Sequence, residues 1–235
     1  MISLARDVLR PVLELVYPTY CGGCGGQGDA LCRACLDSFR PVDRTGTCPV
    51  CGRWTGEAVE CGACITDPAL FERGHFGYVF EGPVRKALHA FKFRGRKDVG
   101  RALVQTLEEQ ITSMASDFDL IVPLPVTEKR LRARGFNQSF IVSVEISRMT
   151  GKPVDHRTLR KTRETQDQYT LPKKERKKNL VRAFSIEGSG EALKGKRVLL
   201  VDDLYTTGNT AREASKTITR AKTAAILFFA LARTP

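Results

Sequence analysis

Beyond residue 64 this chain has no cysteine, so thiol catalysis and thiolate metal sites are excluded from everything that follows. No apolar run of about 18 residues occurs either, and no membrane-spanning helix is expected. Acidic residues are scarce: 26 Asp and Glu face 38 Lys and Arg, a formal net charge of +12. That imbalance implies anionic partners, either nucleotide-like substrates or nucleic acid. His75, His89 and His156 are the only histidines, they match no metal or catalytic spacing, and each is expected to be structural or exposed. The lone Trp54 is expected to cover a small core. Over residues 1–18, Arg6, Asp7, Arg10 and Glu14 interrupt the apolar stretch and no small-residue cleavage site follows. Leu4, Val8, Val12 and Leu15 share one face, which predicts an amphipathic helix, and the chain reads as a cytoplasmic protein.

What the first quarter does hold is all eight cysteines, in four CxxC pairs: Cys21/Cys24, Cys32/Cys35, Cys48/Cys51 and Cys61/Cys64. In a reducing compartment such pairs serve better as metal ligands than as disulfides. Two knuckles supply four thiolates to one tetrahedral ion. Two structural Zn2+ ions are expected. The short gaps favour sequential sites, Cys21/24/32/35 and Cys48/51/61/64, with a cross-braced pairing as the alternative. Little else here could build a core without metal. The expected organisation is residues 1–66 as an N-terminal helix and zinc module, 67–74 as linker, and 75–235 as an α/β domain.

The most informative stretch is residues 197–210, RVLLVDDLYTTGNT. Val198 to Val201 read as a strand buried inside a parallel sheet. Asp202 and Asp203 follow where such a strand would end, then the loop Thr206-Thr207-Gly208-Asn209-Thr210, then a helix over 211–219. A helix N-terminus behind a Gly-containing hydroxyl loop has the geometry of a phosphate site, where unpaired N–H groups and the helix dipole favour the anion and Gly208 allows close approach. TTG alone reads as an ordinary turn with an Asn or Thr helix cap. No Lys precedes Thr210, which argues against a Walker-type ATP loop.

Between these two regions, residues 75–80 alternate like a strand, and 84–91 read as a helix that runs into Lys92-Phe93-Arg94-Gly95-Arg96-Lys97. That stretch either grips phosphate or single-stranded nucleic acid, or is a solvated helix end with Phe91 and Phe93 packed inward. Residues 99–114 read as a second helix, and 119–126 (DLIVPLPV) as a second buried strand ending in a Pro-rich turn. The helix over 140–149 follows. The most basic segment, 157–182, carries ten Lys and Arg against Glu164, Asp167 and Glu175. Residues 224–231 (AAILFFAL) close the sheet as another buried strand.

The apolar strand, acid pair and TTG-x-T loop resemble the phosphoribosyl pyrophosphate (PRPP) loop of type I phosphoribosyltransferases. VPLP, a run of Arg and then RGFNQS narrow the resemblance to the ComF proteins, phosphoribosyltransferase-like proteins associated in bacteria with DNA uptake. The paired cysteines match that family too, as do Gln168, Leu171, Arg176, Asn179 and Ala183-Phe184. The resemblance implies an open, mainly parallel sheet flanked by helices, preceded by a double zinc ribbon. It implies that Asp202 and Asp203 bind the ribose hydroxyls and act at the reacting centre, and that Thr206, Thr207, Gly208, Asn209 and Thr210 hold the 5′-phosphate. Leu124, Pro125 and Val126, with Arg130 and Arg134, would then hold pyrophosphate accompanied by Mg2+, and residues 163–179 would form a lid. Implied partners are PRPP, single-stranded DNA and DNA-uptake proteins. Three functions stay open: transfer of phosphoribosyl to an acceptor, non-catalytic sensing of PRPP or a nucleotide, and binding of single-stranded DNA. A glutamine-dependent amidotransferase is not expected, because its N-terminal nucleophilic cysteine is missing: Ile2 follows Met1 and every Cys belongs to a CxxC pair.

Overall fold

The computed structural model describes residues 18–163 and 183–235. The N-terminal helix expected over Leu4 to Leu15, the block Gln168 to Asn179 and nearly all of the expected lid lie outside the described residues. The strands are β1 (Arg73–Val79), β2 (Leu120–Pro123), the short antiparallel hairpin of β3 (Leu159–Lys161) and β4 (Phe184–Ile186), then β5 (Arg197–Tyr205) and β6 (Ala225–Arg233). The helices are α1 (Arg33–Asp37) and α2 (Gly62–Thr66) among the cysteines, then α3 (Gly82–Phe93), α4 (Lys97–Gln105), α5 (Glu108–Ser113), α6 (Glu128–Arg134), α7 (Gln138–Thr150) and α8 (Asn209–Thr219).

The central sheet has the order β1-β6-β5-β2, with every pairing parallel. β6 lies between β1 and β5, and its run AILFFALAR, apolar on both faces, is buried in the core on each side of the sheet. β5 is longer than its apolar core suggests. It runs through both acids to Tyr205, held by β6 on one side, where Asp202 pairs with Ala230 and Leu204 with Ala232. On the other side β2 stops at Pro123, opposite Val201. The acid pair therefore stands inside a strand, beside an edge that β2 has just vacated. The Arg197 guanidinium forks onto Asp119, with Nη2 to Oδ1 at 2.7 Å and Nε to Oδ2 at 3.2 Å, and pins the register of β2 against β5.

Side chains of β5 alternate between two cores. Leu199 and Val201 pack with Phe91, Leu103 and Ile146 under α3, α4 and α7. Val198 and Leu200 pack with Ala214, Ile218 and Phe228 on the α8 side. The single helix expected over 99–114 is two. The Thr106 hydroxyl donates back to Leu103 O at 2.8 Å, and the chain turns there so that Leu107 packs against Gly77 of β1.

The cysteine module divides across these cores. Cys21 and Cys35 join the α3–α4 core, and Cys48, Cys51, Cys61 and Cys64 join the α8 core. Trp54 does not cover a core. Its ring lies against Gly46 and stays 66% exposed.

Candidate functional site

The eight thiols gather in sequence order, Cys21, Cys24, Cys32 and Cys35 in one group and Cys48, Cys51, Cys61 and Cys64 in the other. Within each group all four Sγ atoms lie within 4.8 Å of one another. The Cys24–Cys32 separation is 3.7 Å and Cys51–Cys61 is 3.6 Å. A tetrahedral ion with Zn–S bonds of about 2.3 Å needs sulfur–sulfur edges of about 3.8 Å, so both groups fit zinc. Backbone amides support the thiolates: Gly23 and Cys32 donate to Cys21 Sγ at 3.3 Å, and Gly26 to Cys24 Sγ at 3.4 Å. Gly23 has to be glycine, since a Cβ there would collide with Cys35 Sγ. The pairing is sequential, not cross-braced.

The second site opens at the carboxyl ends of the strands, where a parallel sheet presents its ligands. It is a cleft of about 390 Å³. Asp202 and Asp203 form its floor, and Thr206 and Thr210 line it from the loop. Leu124, Pro125 and Val126 come from the turn after β2, and Arg130 and Arg134 from α6. Thr207, Gly208 and Asn209 belong to the same loop but do not line the cleft. Gly208 caps α8 in a left-handed conformation, φ 74°, with the Tyr205 hydroxyl where its Cβ would be.

Local sequence explains these placements. Thr127 caps α6 and Gly135 ends it, which holds Arg130 and Arg134 on one short rigid helix. Asn137 both caps α7, accepting from Ser139 N at 3.0 Å, and donates from Nδ2 to Leu124 O at 3.0 Å. The turn after β2 is thereby tied to the start of α7. Arg134 lies 5.3 Å from the centre of the Phe93 ring and donates to Gln138 Oε1 at 3.4 Å.

Sequence reasoning missed two residues at the centre. Lys92, from α3, places its ammonium 3.0 Å from Asp203 Oδ2 and 3.2 Å from Oδ1. Ser139, from α7, donates from Oγ to Asp202 Oδ1 at 3.0 Å, which also accepts from Asp203 N at 2.8 Å. Both lie in stretches noted for other reasons, the basic helix end and RGFNQS, but only the packing of α3 and α7 across β5 brings them to the acids. Phe91 packs inward while Phe93 stays 56% exposed at the cleft.

Charge in this cleft is tuned by burial. Desolvation first and the charge of neighbouring Asp203 second push the Asp202 carboxyl up, to a net value of about 7. Lys92, the Asp203 amide and the Ser139 hydroxyl pull it back. For Lys92, burial works against the ammonium, but Asp203 and Asp202 outweigh it and hold the group above its usual value. Asp202 is thus a carboxyl whose ionisation a ligand at neutral pH can decide. Of the histidines, His75 is buried on β1, and burial with Arg44 and Arg73 nearby lowers it to about 4, a neutral structural group.

An open parallel sheet whose carboxyl ends carry an acid pair and a hydroxyl loop at a helix N-terminus, preceded by two four-cysteine sites, defines an α/β protein with a structural zinc module. Comparison with known proteins narrows that class. The double zinc ribbon domain family matches residues 12–65. The DNA utilization protein YhgH of Escherichia coli (strain K12) is 31% identical over 210 residues, covering 87% of this chain and 90% of that protein. Competence protein ComFC of Bacillus subtilis (strain 168) is 26% identical over 98% of this chain and 92% of its own length. Competence protein F of Haemophilus influenzae is 29% identical over 87% and 91%. The chain belongs to the ComF family of DNA utilization and competence proteins.

Among solved structures, the glutamine PRPP amidotransferase from B. subtilis aligns at 17% identity with a TM-score of 0.41, covering 61% of this chain. This chain spans 30% of that protein's length. A purine phosphoribosyltransferase from Pyrococcus horikoshii aligns at 21% identity and a TM-score of 0.36, over 57% of this chain and 73% of that one. At these scores neither bears on the chemistry of the cleft.

Proposed function

We propose that the cleft binds PRPP and transfers its phosphoribosyl group to an acceptor, with release of pyrophosphate. The observation that carries this reading is the convergence, in one cleft, of an acid pair, a hydroxyl loop at a helix N-terminus and a basic turn after the neighbouring strand. Each would meet a different part of one molecule. Asp202 and Asp203 would accept hydrogen bonds from the ribose 2′- and 3′-hydroxyls. Thr206 to Thr210, with the N-terminus of α8, would take the 5′-phosphate. The turn Leu124-Pro125-Val126 with Arg130 and Arg134 would take the pyrophosphate, whose oxygens suit forked guanidinium donors.

In the transfer, a lone pair of the acceptor forms the new bond to C1 as the C1–O bond breaks. That bonding pair leaves with pyrophosphate, and the acceptor gives up its proton to solvent or to the leaving group. Positive charge that develops on the ribose is favoured by the acid pair, and negative charge on the leaving group by Arg130 and Arg134. The acid pair already carries the Lys92 ammonium, so Mg2+ is expected on the diphosphate, where it would neutralise part of the leaving group's charge. Among the described residues no helix is long and apolar enough to cross a membrane, and reduced four-thiolate sites suit action in the cytoplasm.

The relatives' names add a role in handling incoming DNA. A second reading, single-stranded DNA on the same face, is supported by exposed Phe93 with Arg134 over its ring, a stacking surface within basic walls. Asp203→Ala tests the first reading. It removes a carboxylate acceptor, and a hydrogen bond to a charged group is worth about 1.5–3 kcal/mol, so PRPP affinity measured by titration calorimetry should fall about tenfold or more. Unchanged affinity would show that Asp202 to Thr210 is not the PRPP site.

A further inference from the structure

Sequence order separates the cysteines from the loop after β5 by more than a hundred residues, yet the second four-cysteine site shares a core with Tyr205, the residue that leads into that loop. Three contacts make the connection. Gly52, which follows Cys51 and closes the knuckle turn by donating to Cys48 O at 2.8 Å, packs so closely on Phe76 and on the Arg233 stem that a Cβ would sit 2.6 Å from the ring and 2.8 Å from Cδ. The Phe76 ring in turn lies 4.9 Å from Tyr205, the last residue of β5, and the Tyr205 hydroxyl lies under Gly208. Independently, Arg212, in the first turn of α8 just after the loop, reaches to the end of α2, the helix that carries Cys64. Its Nη2 donates to Asp67 O at 2.9 Å and its Nη1 lies 3.4 Å from Asp67 Oδ2, at the carboxyl end of α2. The same Nη1 donates to Asn209 Oδ1 at 3.4 Å, the first residue of α8. Arg212 is nearly buried, with 13% of its side chain exposed, so these bonds form in a poorly solvated place.

We infer that Arg212 is a positioning residue that couples the second zinc site to the loop at residues 206–210, with the Phe76–Tyr205 ring pair as a parallel support. The fit of zinc to Cys48, Cys51, Cys61 and Cys64 is geometric, and the coupling acts on this chain's own residues around it. Among the described residues the first four-cysteine site has no such connection: Gly22 and Gly23 pack on Val99 and Pro83, on the other face of the sheet. That the loop holds the 5′-phosphate rests on the reading proposed above. The coupling itself does not need it. If a ligand tightens the loop, linkage requires that it also tighten the second zinc site and leave the first alone.

The test uses the full zinc-loaded chain and its Arg212→Met and Asp67→Ala variants. Asp67 is 43% exposed on its side chain, so the second variant keeps the test valid should the first fold poorly. Lys216→Met, on the exposed face of α8, is the control. Amide hydrogen exchange is followed at residues 206–210 and 61–67, and zinc release to a chromophoric chelator is timed with and without PRPP. Arg212→Met should speed exchange in both segments together and speed release of one zinc of the two, each by about fivefold or more. PRPP should slow release of that same zinc in the parent; this protection should be lost in Arg212→Met and reduced in Asp67→Ala, which keeps the bond to Asp67 O. Exchange and release unchanged in Arg212→Met and Asp67→Ala would overturn the coupling. Should PRPP not bind the parent while both segments still loosen together, the coupling stands and the PRPP reading falls.

Discussion

Replacing Ser139 by Ala separates the charge of Asp202 from the shape of the cleft. The Ser139 hydroxyl donates to Asp202 Oδ1 at 3.0 Å and stabilises only the ionised carboxyl. With that bond in place, burial and neighbouring Asp203 still hold the carboxyl up at about 7. A hydrogen bond to a charged group is worth about 1.5–3 kcal/mol, and one pKa unit is about 1.4 kcal/mol, so its loss should raise the apparent pKa by about one to two units. Hydroxyls of a ribose donate to a carboxylate, so PRPP affinity should rise with pH through this pKa and then level off. In Ser139→Ala the midpoint of that rise should move up by one to two units, about the same shift, while the plateau at high pH keeps the parent's affinity. Calorimetric titrations at a series of pH values read both quantities. A midpoint that stays in place would refute the assignment of Asp202 as the titrating ligand group. A plateau that collapses with an unmoved midpoint would mean that Ser139 shapes the cleft instead. The same pKa carries a stability consequence. Because the folded value is raised above the usual carboxylate value, Asp202 favours the folded state most at low pH. That contribution is lost as pH rises from the usual carboxylate range through about 7, so Asp202→Asn should flatten the decline in thermal midpoint over this window.

Gly208→Ala should weaken or abolish binding of ribose 5-phosphate, since the residue's φ of 74° costs a side chain about 1–2 kcal/mol and the Tyr205 hydroxyl occupies the Cβ position; parent-like affinity in a calorimetric titration would contradict this. Elemental analysis of reduced, unchelated protein should give two zinc ions per chain, and one or none would sink the assignment of two four-cysteine sites. Binding to single-stranded DNA should weaken steeply with salt through counterion release and fall when Lys173, Lys174, Lys177 and Lys178 are neutralised together; no binding at low salt would remove the nucleic-acid role.

Local chemistry made several features legible from the sequence. Four CxxC pairs specify two tetrahedral thiolate sites, because ligand spacing and turn glycines are encoded within a few residues. The runs at 198–201 and 225–231 specify interior strands, because only a site covered on both faces accepts unbroken apolar residues. The acid pair and the TTG loop stand out for the same reason, since strand, loop and helix start are contiguous. Other features depend on which elements become neighbours. That β2 ends opposite Val201 while β6 continues leaves Asp202 and Asp203 beside an open edge, and no local pattern encodes the length of a partner strand. Lys92 and Ser139 reach the acids from helices whose own sequences show only amphipathic or capping patterns. The gathering of all four cysteines from 48 to 64 against Tyr205 and α8 likewise arises from the burial of Phe71, Phe76 and Phe228 in one shared core. Sequence determined the chemistry available at each point, since spacing and residue type act locally. Tertiary structure decided which charges meet and how the zinc module bears on the cleft, because burial and pairing depend on residues far apart in the chain.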